Sequence, residues 1–307
     1  MIATLALASL FAAAPSCDNG AQDAIPVRVG KTVASVCISP GLRLTDDAVV
    51  RWVRDGLWAT HRYFTAIGVP AVKIDITATA ATGVGYGTTW SGRLPTLDIR
   101  VGRGADKSDL DRDWVLVHEL VHIATPRVGD HKWWREGIAT YVEPFARYAA
   151  GKLTETQLWR GFHQNMRHGQ PRAGDRGIDR TGSWGRVYWG GALWALVADV
   201  EIRRQTGNRK GLRDALVAMT HADGSIAVQW TLHEALAIGD NAIGKPVLST
   251  LYQRWKHAPV TVDLDALWRD LGVVRIPNGA LGLSDNIRDA KDAAIRRAMT
   301  RQAVETR

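Results

Sequence analysis

The sequence predicts an α+β fold, with strands and helices mixed in the first third and helices alone after about residue 125. Alternation of β-branched with polar residues marks several strands before that point. After it, apolar residues recur at helical spacing and strand patterns nearly vanish. The chain has 307 residues, 46% hydrophobic and 23% charged, which is typical of a globular protein with one large domain or two modest ones.

The first residues, MIATLALASLFAAAPSC, contain an apolar run that is too short to span a bilayer. The run and the small residues Ala14 and Ser16 predict a signal peptide over residues 1–16, although no basic residue precedes it; a buried N-terminal helix is the alternative. A cleaved leader would make the chain extracytoplasmic, periplasmic or secreted, where a disulfide between Cys17 and Cys37 would contribute about 3 kcal/mol. A lipid on Cys17 is a further alternative.

Strand and helix patterns alternate over the next eighty residues or so. Residues 25–39 and 71–80 are rich in β-branched residues and predict strands. Between them, residues 44–68 predict a helix with Thr45 as its N-cap. The alternation in TLDIRVG, residues 96–102, predicts a strand with two different faces.

Two short segments lead to the next helix. GVGYG, residues 83–87, lacks the spacing of a phosphate-binding loop and predicts a flexible turn. Ser108 and Asp111 predict a capping box that begins a helix running on through HELVH, residues 118–122.

Helical spacing dominates the rest of the chain. The predicted helices cover residues 132–150, 154–167, 185–206, 210–219, 228–238, 246–256 and 264–271. The glycine- and arginine-rich stretch 167–185 predicts a long loop. The last residues, 284–307, predict either a polar, alanine-rich helix or a frayed tail.

HELVH places three polar groups on one side of its helix. At about 100° per residue, His118, Glu119 and His122 fall within one wedge, and the flanks are apolar, so the helix is predicted to be buried. Unpartnered imidazole and carboxylate groups would cost several kcal/mol there. A hydrogen-bond network would satisfy them, but a zinc ion would satisfy both histidines at once and leave Glu119 facing water.

A second predicted helix, within HKWWREGIATYVE, carries a candidate third ligand, Glu136. The alternative is an exposed acid paired with Arg135 or Lys132. Gly137 costs about 1 kcal/mol relative to alanine in a helix interior, which indicates close approach of two helix backbones. Glu143 lies on the same face of this predicted helix as Glu136. It would either orient a ligand histidine or be an exposed acid near the end of the helix.

HELVH and WWREGIATYVE together resemble the gluzincin zinc metallopeptidases (peptidase MA-like). VYWGGALWALVADVEIRRQTGNRKGLRDAL is similar to helices of the glycyl aminopeptidase family and of aminopeptidase N-like enzymes, and the resemblance covers about residues 70–272. It implies a thermolysin-like lobe, with a small mixed sheet and the zinc-motif helix, then an all-helical lobe, with the cleft between them. The implied divisions are 17–127 for the first lobe, 128–275 for the second and 276–307 for a C-terminal tail.

The resemblance also implies the chemistry. One Zn2+ would be held by His118, His122 and Glu136, which leaves a fourth position for water whose pKa falls toward about 7. Glu119 would be the general base for peptide-bond hydrolysis by this metal-activated water. Tyr188, which matches the family's Y-x-x-G-A tyrosine, would donate a hydrogen bond to the oxyanion. From composition alone it would be an amphipathic core residue.

Two further residues, Tyr141 and His131, are candidates for the oxyanion role. Aminopeptidases of these families hold the substrate's amino terminus with a glutamate on a strand before the zinc helix. No glutamate precedes Glu119, although Asp98 on the predicted strand 96–102 could substitute. We therefore expect an endopeptidase, acting on peptides or proteins, rather than an aminopeptidase. The alternatives are a catalytically inactive, zinc-binding scaffold that binds peptides, and a hydrolase of another substrate class.

The net charge of +8 and the pI near 9.7 raise nucleic acid or an anionic membrane as partners. The basic residues are spread along the chain, with no run of five or six. We therefore expect no nucleic-acid partner and no transmembrane span, and the sequence leaves the oligomeric state open.

Overall fold

A computed structural model describes residues 16–21, 23–276, 279–286 and 291–304. A five-stranded mixed sheet and its helices come first, and a mostly helical region follows, which confirms the predicted α+β class. The predicted signal peptide lies outside the described residues, except for its last residue. No helix in the described ranges has the length and apolar character that a bilayer span requires.

The main sheet has the strand order β1-β2-β3-β5-β4. Its strands are β1 Ile25–Val29, β2 Thr32–Ile38, β3 Ala71–Thr79, β4 Val84–Trp90 and β5 Thr96–Gly102. β1 pairs antiparallel with β2, the pairs β2–β3 and β3–β5 are parallel, and β4 runs antiparallel to β5 at the edge. Burial alternates along β1, the first half of β2 and most of β5, as period-2 patterning predicts.

The interpretation of residues 83–87 as a flexible turn is wrong, because most of this segment forms the first half of strand β4. Glycines disfavour a strand, but pairing with β5 supplies the backbone hydrogen bonds. Gly87 also packs against the motif helix so closely that a Cβ there would lie 2.6 Å from Cγ of Glu119. The glycine is therefore explained by a close approach of strand to helix.

Helix α1, Asp46–Phe64, begins as predicted at Thr45, whose side chain accepts a hydrogen bond from the Ala48 N–H. It ends earlier than residue 68, because Thr65 takes a left-handed conformation, with φ of 65°. A left-handed residue at this position closes the last turn of a helix.

The predicted capping box at Ser108 and Asp111 is wrong in position. The structure has a short helix α2, Lys107–Arg112, capped by Asp106. The capping box is completed by Asp109, whose carboxylate accepts a hydrogen bond from the backbone N–H of Asp106. This helix then stops, so it is separate from the helix that carries HELVH.

The motif helix is α3, Val115–Ala124. The Asp113 carboxylate accepts hydrogen bonds from the N–H groups of Val115 and Leu116, at 2.8 and 3.1 Å, and so satisfies two of the donors that a helix start leaves unpaired. All ten residues of α3 are buried, as predicted. One flank packs into the core under the sheet and the other into the core of the helical region.

The helical region begins with α4, which carries the second part of the predicted site. Its helices are α4 Lys132–Ala149, α5 Glu155–Asn165, α6 Trp184–Gln205, α7 Leu212–His221, α8 Leu232–Ile243, α9 Val247–Trp255, α10 Leu264–Leu271 and α11 Ala293–Val304. The predicted loop 167–185 is mostly irregular and contains two short 3-10 turns.

Two predictions for this region need correction. The helix predicted from 228 begins at Leu232, because Gln229–Trp230 (β7) pairs with Arg127–Val128 (β6) and Thr231 caps the helix. The alternative of a frayed tail is wrong over 293–304, since α11 buries apolar residues against the helical core. A further short pair joins β8 Val273–Arg275 to β9 Leu281–Leu283.

A disulfide joins Cys17 to Cys37 and ties the N-terminal segment to strand β2. Asp18 adds an ion pair with Lys73 on the neighbouring strand, at 2.5 Å. Strand β2 lies at the opposite side of the sheet from the edge strand β4. The disulfide therefore anchors the N-terminal segment far from β4, the strand that packs against the helix carrying HELVH.

Candidate metal centre

Two helices bring the predicted ligands together. His118 and His122 lie one turn apart on α3, with their rings edge to face and 4.9 Å between centroids. Glu136, in the first turns of α4, places Oε2 at 3.3 Å from Nε2 of each histidine. All three side chains are buried. One carboxylate oxygen therefore faces both imidazoles at equal distance.

These distances fit a tetrahedral zinc ion. Ligand bonds of about 2.0–2.1 Å place the ligand atoms of a tetrahedron about 3.3–3.4 Å apart. Burial lowers the pKa of His118, which favours the neutral, metal-binding form of its imidazole. Burial acts to raise the pKa of Glu136, but hydrogen bonding to the two histidines outweighs it and holds that pKa well below its usual range. The donor set of two neutral imidazoles and one carboxylate is one that zinc prefers.

Glu119 is the second carboxylate at the centre. One carboxylate oxygen of Glu119 and one ring nitrogen each of His118 and His122 all lie within 4.8 Å of one another. Its Oε2 accepts a hydrogen bond from Thr89 Oγ1, at 2.6 Å. A single hydroxyl on strand β4 therefore holds Glu119, whereas Glu136 lies nearer to both histidines. We take Glu136 as the better-placed ligand for that reason.

Thr89 was not singled out from the sequence. A threonine in an exposed-edge strand has no local pattern that distinguishes it, and only the pairing of β4 with β5 beside α3 brings it to Glu119. Arg135 is also part of the centre, since its Nε donates to Glu136 Oε1 at 3.1 Å. The alternative in which Glu136 is an exposed acid paired with Arg135 or Lys132 is wrong about exposure, because Glu136 is buried. Its pairing with Arg135 is confirmed.

Tyr188 lies at the same centre, in the first turns of α6. Its ring stacks on that of His118, with 5.9 Å between centroids and 15° between planes, and on Trp184. Burial and then the Glu136 carboxylate raise the pKa of Tyr188, so its hydroxyl stays protonated and can donate a hydrogen bond at neutral pH.

The two other candidates for the oxyanion role lie elsewhere. Tyr141 is fully buried in the helical core and donates to Asp199 at 2.7 Å. His131 places Nδ1 3.0 Å from Asp179 and does not line the cleft above the ligands. Full burial keeps Tyr141 from a substrate at the centre, and the contact with Asp179 holds His131 outside the main cleft, so Tyr188 is the better-placed candidate of the three.

Asp98 cannot replace an amino-terminus anchor. In the pairing of β4 with β5, Thr89 lies opposite Leu97 and Thr88 lies opposite Asp98. Residues directly opposite share a face, so Asp98 lies on the other face of the sheet from Thr89 and the centre. Its carboxylate accepts a hydrogen bond from Thr77 at 2.5 Å.

Glu143 is buried, so its interpretation as an exposed acid at a helix end is wrong. It forms an ion pair with Arg147, at 3.0 Å. Burial raises the pKa of Glu143 to about 7, against the opposing effect of Arg147. Within the described residues no hydrogen bond joins it to a ligand histidine, so it does not orient one directly.

The centre forms the floor of an open cleft of about 620 Å³. Strand β4 forms one wall, and three large aromatic side chains, Tyr86, Trp90 and Trp114, line the cleft while remaining half exposed or more. A second, more apolar cavity of about 380 Å³ adjoins it and shares Trp114, His118 and Tyr188. An extended chain could therefore lie over the ligands with its side chains in these spaces.

No protein-family model and no curated protein matches the sequence. Among solved structures, the chain is similar to an aminopeptidase N family protein from Idiomarina loihiensis, with 13% identity, a TM-score of 0.61 and coverage of 86% of this chain and 52% of that chain. A two-domain M1 zinc metallopeptidase variant bound to L-arginine is also similar, with 13% identity, a TM-score of 0.51 and coverage of 79% and 52%. An M1 zinc metallopeptidase variant from Deinococcus radiodurans has 13% identity, a TM-score of 0.50 and coverage of 79% and 53%.

The chain spans about half the length of these solved structures. Its own elements, a five-stranded mixed sheet followed by helices, account for the match, and at 13% identity the likeness concerns the fold. The implied resemblance is confirmed at that level: the chain has the thermolysin-like fold of the M1 zinc metallopeptidase catalytic domain.

Proposed function

We propose that the chain is a zinc-dependent peptidase that holds one Zn2+ ion through His118, His122 and Glu136. The observation on which this rests is the position of one Glu136 oxygen, 3.3 Å from both Nε2 atoms, buried at the floor of an open cleft. The fold, shared with M1 zinc metallopeptidases, supports a hydrolase of this class.

The second carboxylate, Glu119, then serves as the general base. Bound zinc would supply Lewis-acid activation of water and of the substrate carbonyl. Thr89 holds Oε2 of Glu119 at 2.6 Å, which leaves the other oxygen to take a proton and to deliver it to the departing amine. The hydrogen bond also fixes the orientation of the carboxylate, which reduces the cost of reaching the reactive geometry.

Tyr188 is proposed as the hydrogen-bond donor to the developing oxyanion. Its hydroxyl stays protonated because burial and Glu136 raise its pKa, and its stacking on His118 keeps the ring beside the ligands. A fixed donor in a partly buried site stabilises negative charge without reorganisation during the reaction.

An endopeptidase fits the cleft better than an aminopeptidase. Binding a charged amino terminus requires an acid, and among the described residues that line the cleft the only acids are Glu119 and Glu136. Both are assigned to the reaction itself, and Asp98 faces away. We therefore propose that the chain cleaves a peptide or protein at a bond away from its amino terminus.

The disulfide supports an extracytoplasmic site of action. Cys17 and Cys37 form a bridge of the kind that persists in oxidising compartments. Together with the signal peptide predicted over residues 1–16, it favours a periplasmic or secreted protein. Cleavage before Cys17 would leave this bridge in the mature chain.

Substitution of Glu119 tests the proposal. The purified chain should contain one zinc per molecule and cleave unstructured protein substrates, and Glu119→Gln should keep the zinc and lose at least about 10³-fold in turnover. Zinc content is measured by elemental analysis and cleavage by mass spectrometry of the products. A zinc-loaded wild type that cleaves no peptide would instead support a peptide-binding scaffold, and equal turnover in the variant would remove Glu119 from the mechanism.

A further inference from the structure

The cleft has two chemically different ends, set by the ends of helix α3. Trp114 lies immediately before the helix, beside the apolar cavity, and Arg127 follows soon after its last residue. A ten-residue helix is about 15 Å long, so the two ends are several peptide residues apart. The ligand histidines lie between them, at mid-helix.

The end beyond His122 is basic. Arg127 and Arg135 both line the main cleft, and both also line a smaller adjoining cavity of about 160 Å³ together with Lys132. The described lining of this smaller cavity includes no acid. Two guanidinium groups in one cavity repel each other, and an anion bound between them would relieve that repulsion.

Each arginine is anchored through Nε alone. Arg127 donates from Nε to the carbonyl of Ile226, at 3.1 Å, and Arg135 donates from Nε to Glu136, at 3.1 Å. Within the described ranges, the terminal nitrogens of both side chains have no protein partner. An arginine held in this way presents two parallel N–H donors to a carboxylate.

We propose that this basic end binds a carboxylate of the substrate within about two or three residues of the scissile bond. The inference rests on the proposed peptidase function and names its substrate class: chains with an acidic side chain, or a C-terminal carboxylate, on the Arg127 side and a bulky apolar residue on the Trp114 side. Arg127 and Arg135 are then specificity-determining residues.

Matched peptides test this. One series places Glu or Gln at each position near the cleavage site, with an amidated C-terminus; a second ends in a free acid or an amide at those positions. The wild type should cleave the carboxylate member of a pair with a kcat/KM about tenfold higher than the neutral member. The difference should appear in the first series if an acidic side chain is recognised, and in the second if the C-terminal carboxylate is recognised. Equal rates in both series would overturn the proposal.

Three variants assign the effect to the basic end. Arg127→Gln and Arg135→Gln should bring the carboxylate preference close to one, and Arg127→Glu should favour a lysine-containing peptide instead. Arg160→Gln, which changes an exposed arginine of α5 outside both cavities, should keep the wild-type preference. Arg135 also contacts Glu136, so zinc content is measured for each variant, and a preference unchanged in Arg127→Gln would refute the proposal.

A binding measurement separates this inference from the peptidase assignment. Two pairs of labelled peptides, an end-blocked Glu and Gln pair and a free-acid and amide pair, are titrated with zinc-loaded Glu119→Gln protein, with and without Arg127→Gln, and binding is read by fluorescence anisotropy. Tighter binding of the carboxylate member of either pair that requires Arg127 supports the basic end even when no peptide is cleaved. Equal binding within both pairs rejects the inference even when the chain proves to be a peptidase.

Discussion

At the residue scale, the centre depends on a few side chains that act through one another. Glu136 faces both histidines, Thr89 holds Glu119, and Tyr188 stacks on His118. Each contact joins residues from different helices or strands. Substitutions at Thr89, Glu119 and Tyr188 leave the proposed metal ligands in place, so their effects on chemistry are separable by experiment from those of the ligands.

Tyr188→Phe should lower kcat by about 10²–10³ and change KM only a few-fold, because the lost hydroxyl is required mainly when negative charge develops. Steady-state kinetics on one quenched peptide measures both parameters. Tyr252→Phe is the control, since its hydroxyl donates to Asp179 at 2.7 Å, away from the ligands, and it should leave kcat unchanged. An unchanged kcat in Tyr188→Phe would exclude the tyrosine from the mechanism.

Glu143 should make a pH-dependent contribution to stability. Its folded pKa, raised by burial to about 7, lies above its ordinary value of 4.5, so between these values the folded chain binds more protons than the unfolded chain. Through this group, the free energy of unfolding therefore falls as the pH rises from about 4.5 to 7. Glu143→Gln should remove that part of the slope, measured by urea unfolding across this range, and parallel curves for the two proteins would contradict it.

At the element scale, the crossing of α4 with α6 positions the site. A Cβ added at Gly137 would lie 2.3 Å from Cα of Gly191, so the two helices touch backbone to backbone. Gly137 follows the proposed ligand Glu136, and Gly191 lies one turn after Tyr188. The close approach of two helix backbones inferred from Gly137 is confirmed, and the partner helix is α6.

Gly137→Ala should force α4 and α6 apart, lowering the free energy of unfolding by about 1–3 kcal/mol and moving Tyr188 relative to Glu136, so that turnover falls. Gly161→Ala in α5 is the matched control, because a Cβ there meets nothing within 4 Å. It should stabilise the chain by about 0.5–1 kcal/mol, and because Gly161 lines the apolar cavity it serves as a control for stability alone. Denaturant unfolding measures the stability of the two variants, and steady-state kinetics measures turnover. A Gly137→Ala variant with unchanged stability and turnover would contradict the close contact of α4 with α6.

At the scale of the whole molecule, α3 lies between two hydrophobic cores. Leu116 and Leu120 pack under the sheet, whereas Val117 and Val121 pack into the helical core. The proposed zinc adds a link between this helix and α4. Metal binding should therefore stabilise the fold as well as supply chemistry.

Removal of zinc by a chelator should lower the melting temperature by about 5–15 °C, since a ligand at about 1,000 times its Kd contributes about 4 kcal/mol. Differential scanning calorimetry with and without the chelator measures the shift, and added zinc should reverse it. His122→Ala is the control, because a chain that has lost a ligand should respond little to chelation. A wild type that melts at the same temperature in both conditions would count against a metal at this centre.

Local patterns in the sequence determine the α+β class, most helices, the burial of α3 and the placement of His118, Glu119 and His122 on one side of it. These features depend on periodicity and on capping, which involve residues close together in the chain. One error was local too: Asp106 rather than Ser108 caps α2, because several acids in one segment compete for the same role.

Contacts between elements far apart in the chain were decided only by the tertiary structure. Sheet register turns Asp98 away from the centre and Thr89 toward it, and helix packing buries Tyr141 while it leaves Tyr188 in the cleft. A periodic pattern specifies which face of an element is apolar, but not which distant element covers that face. The strand order and the helix crossings supply that information, so the composition of the cleft follows from packing.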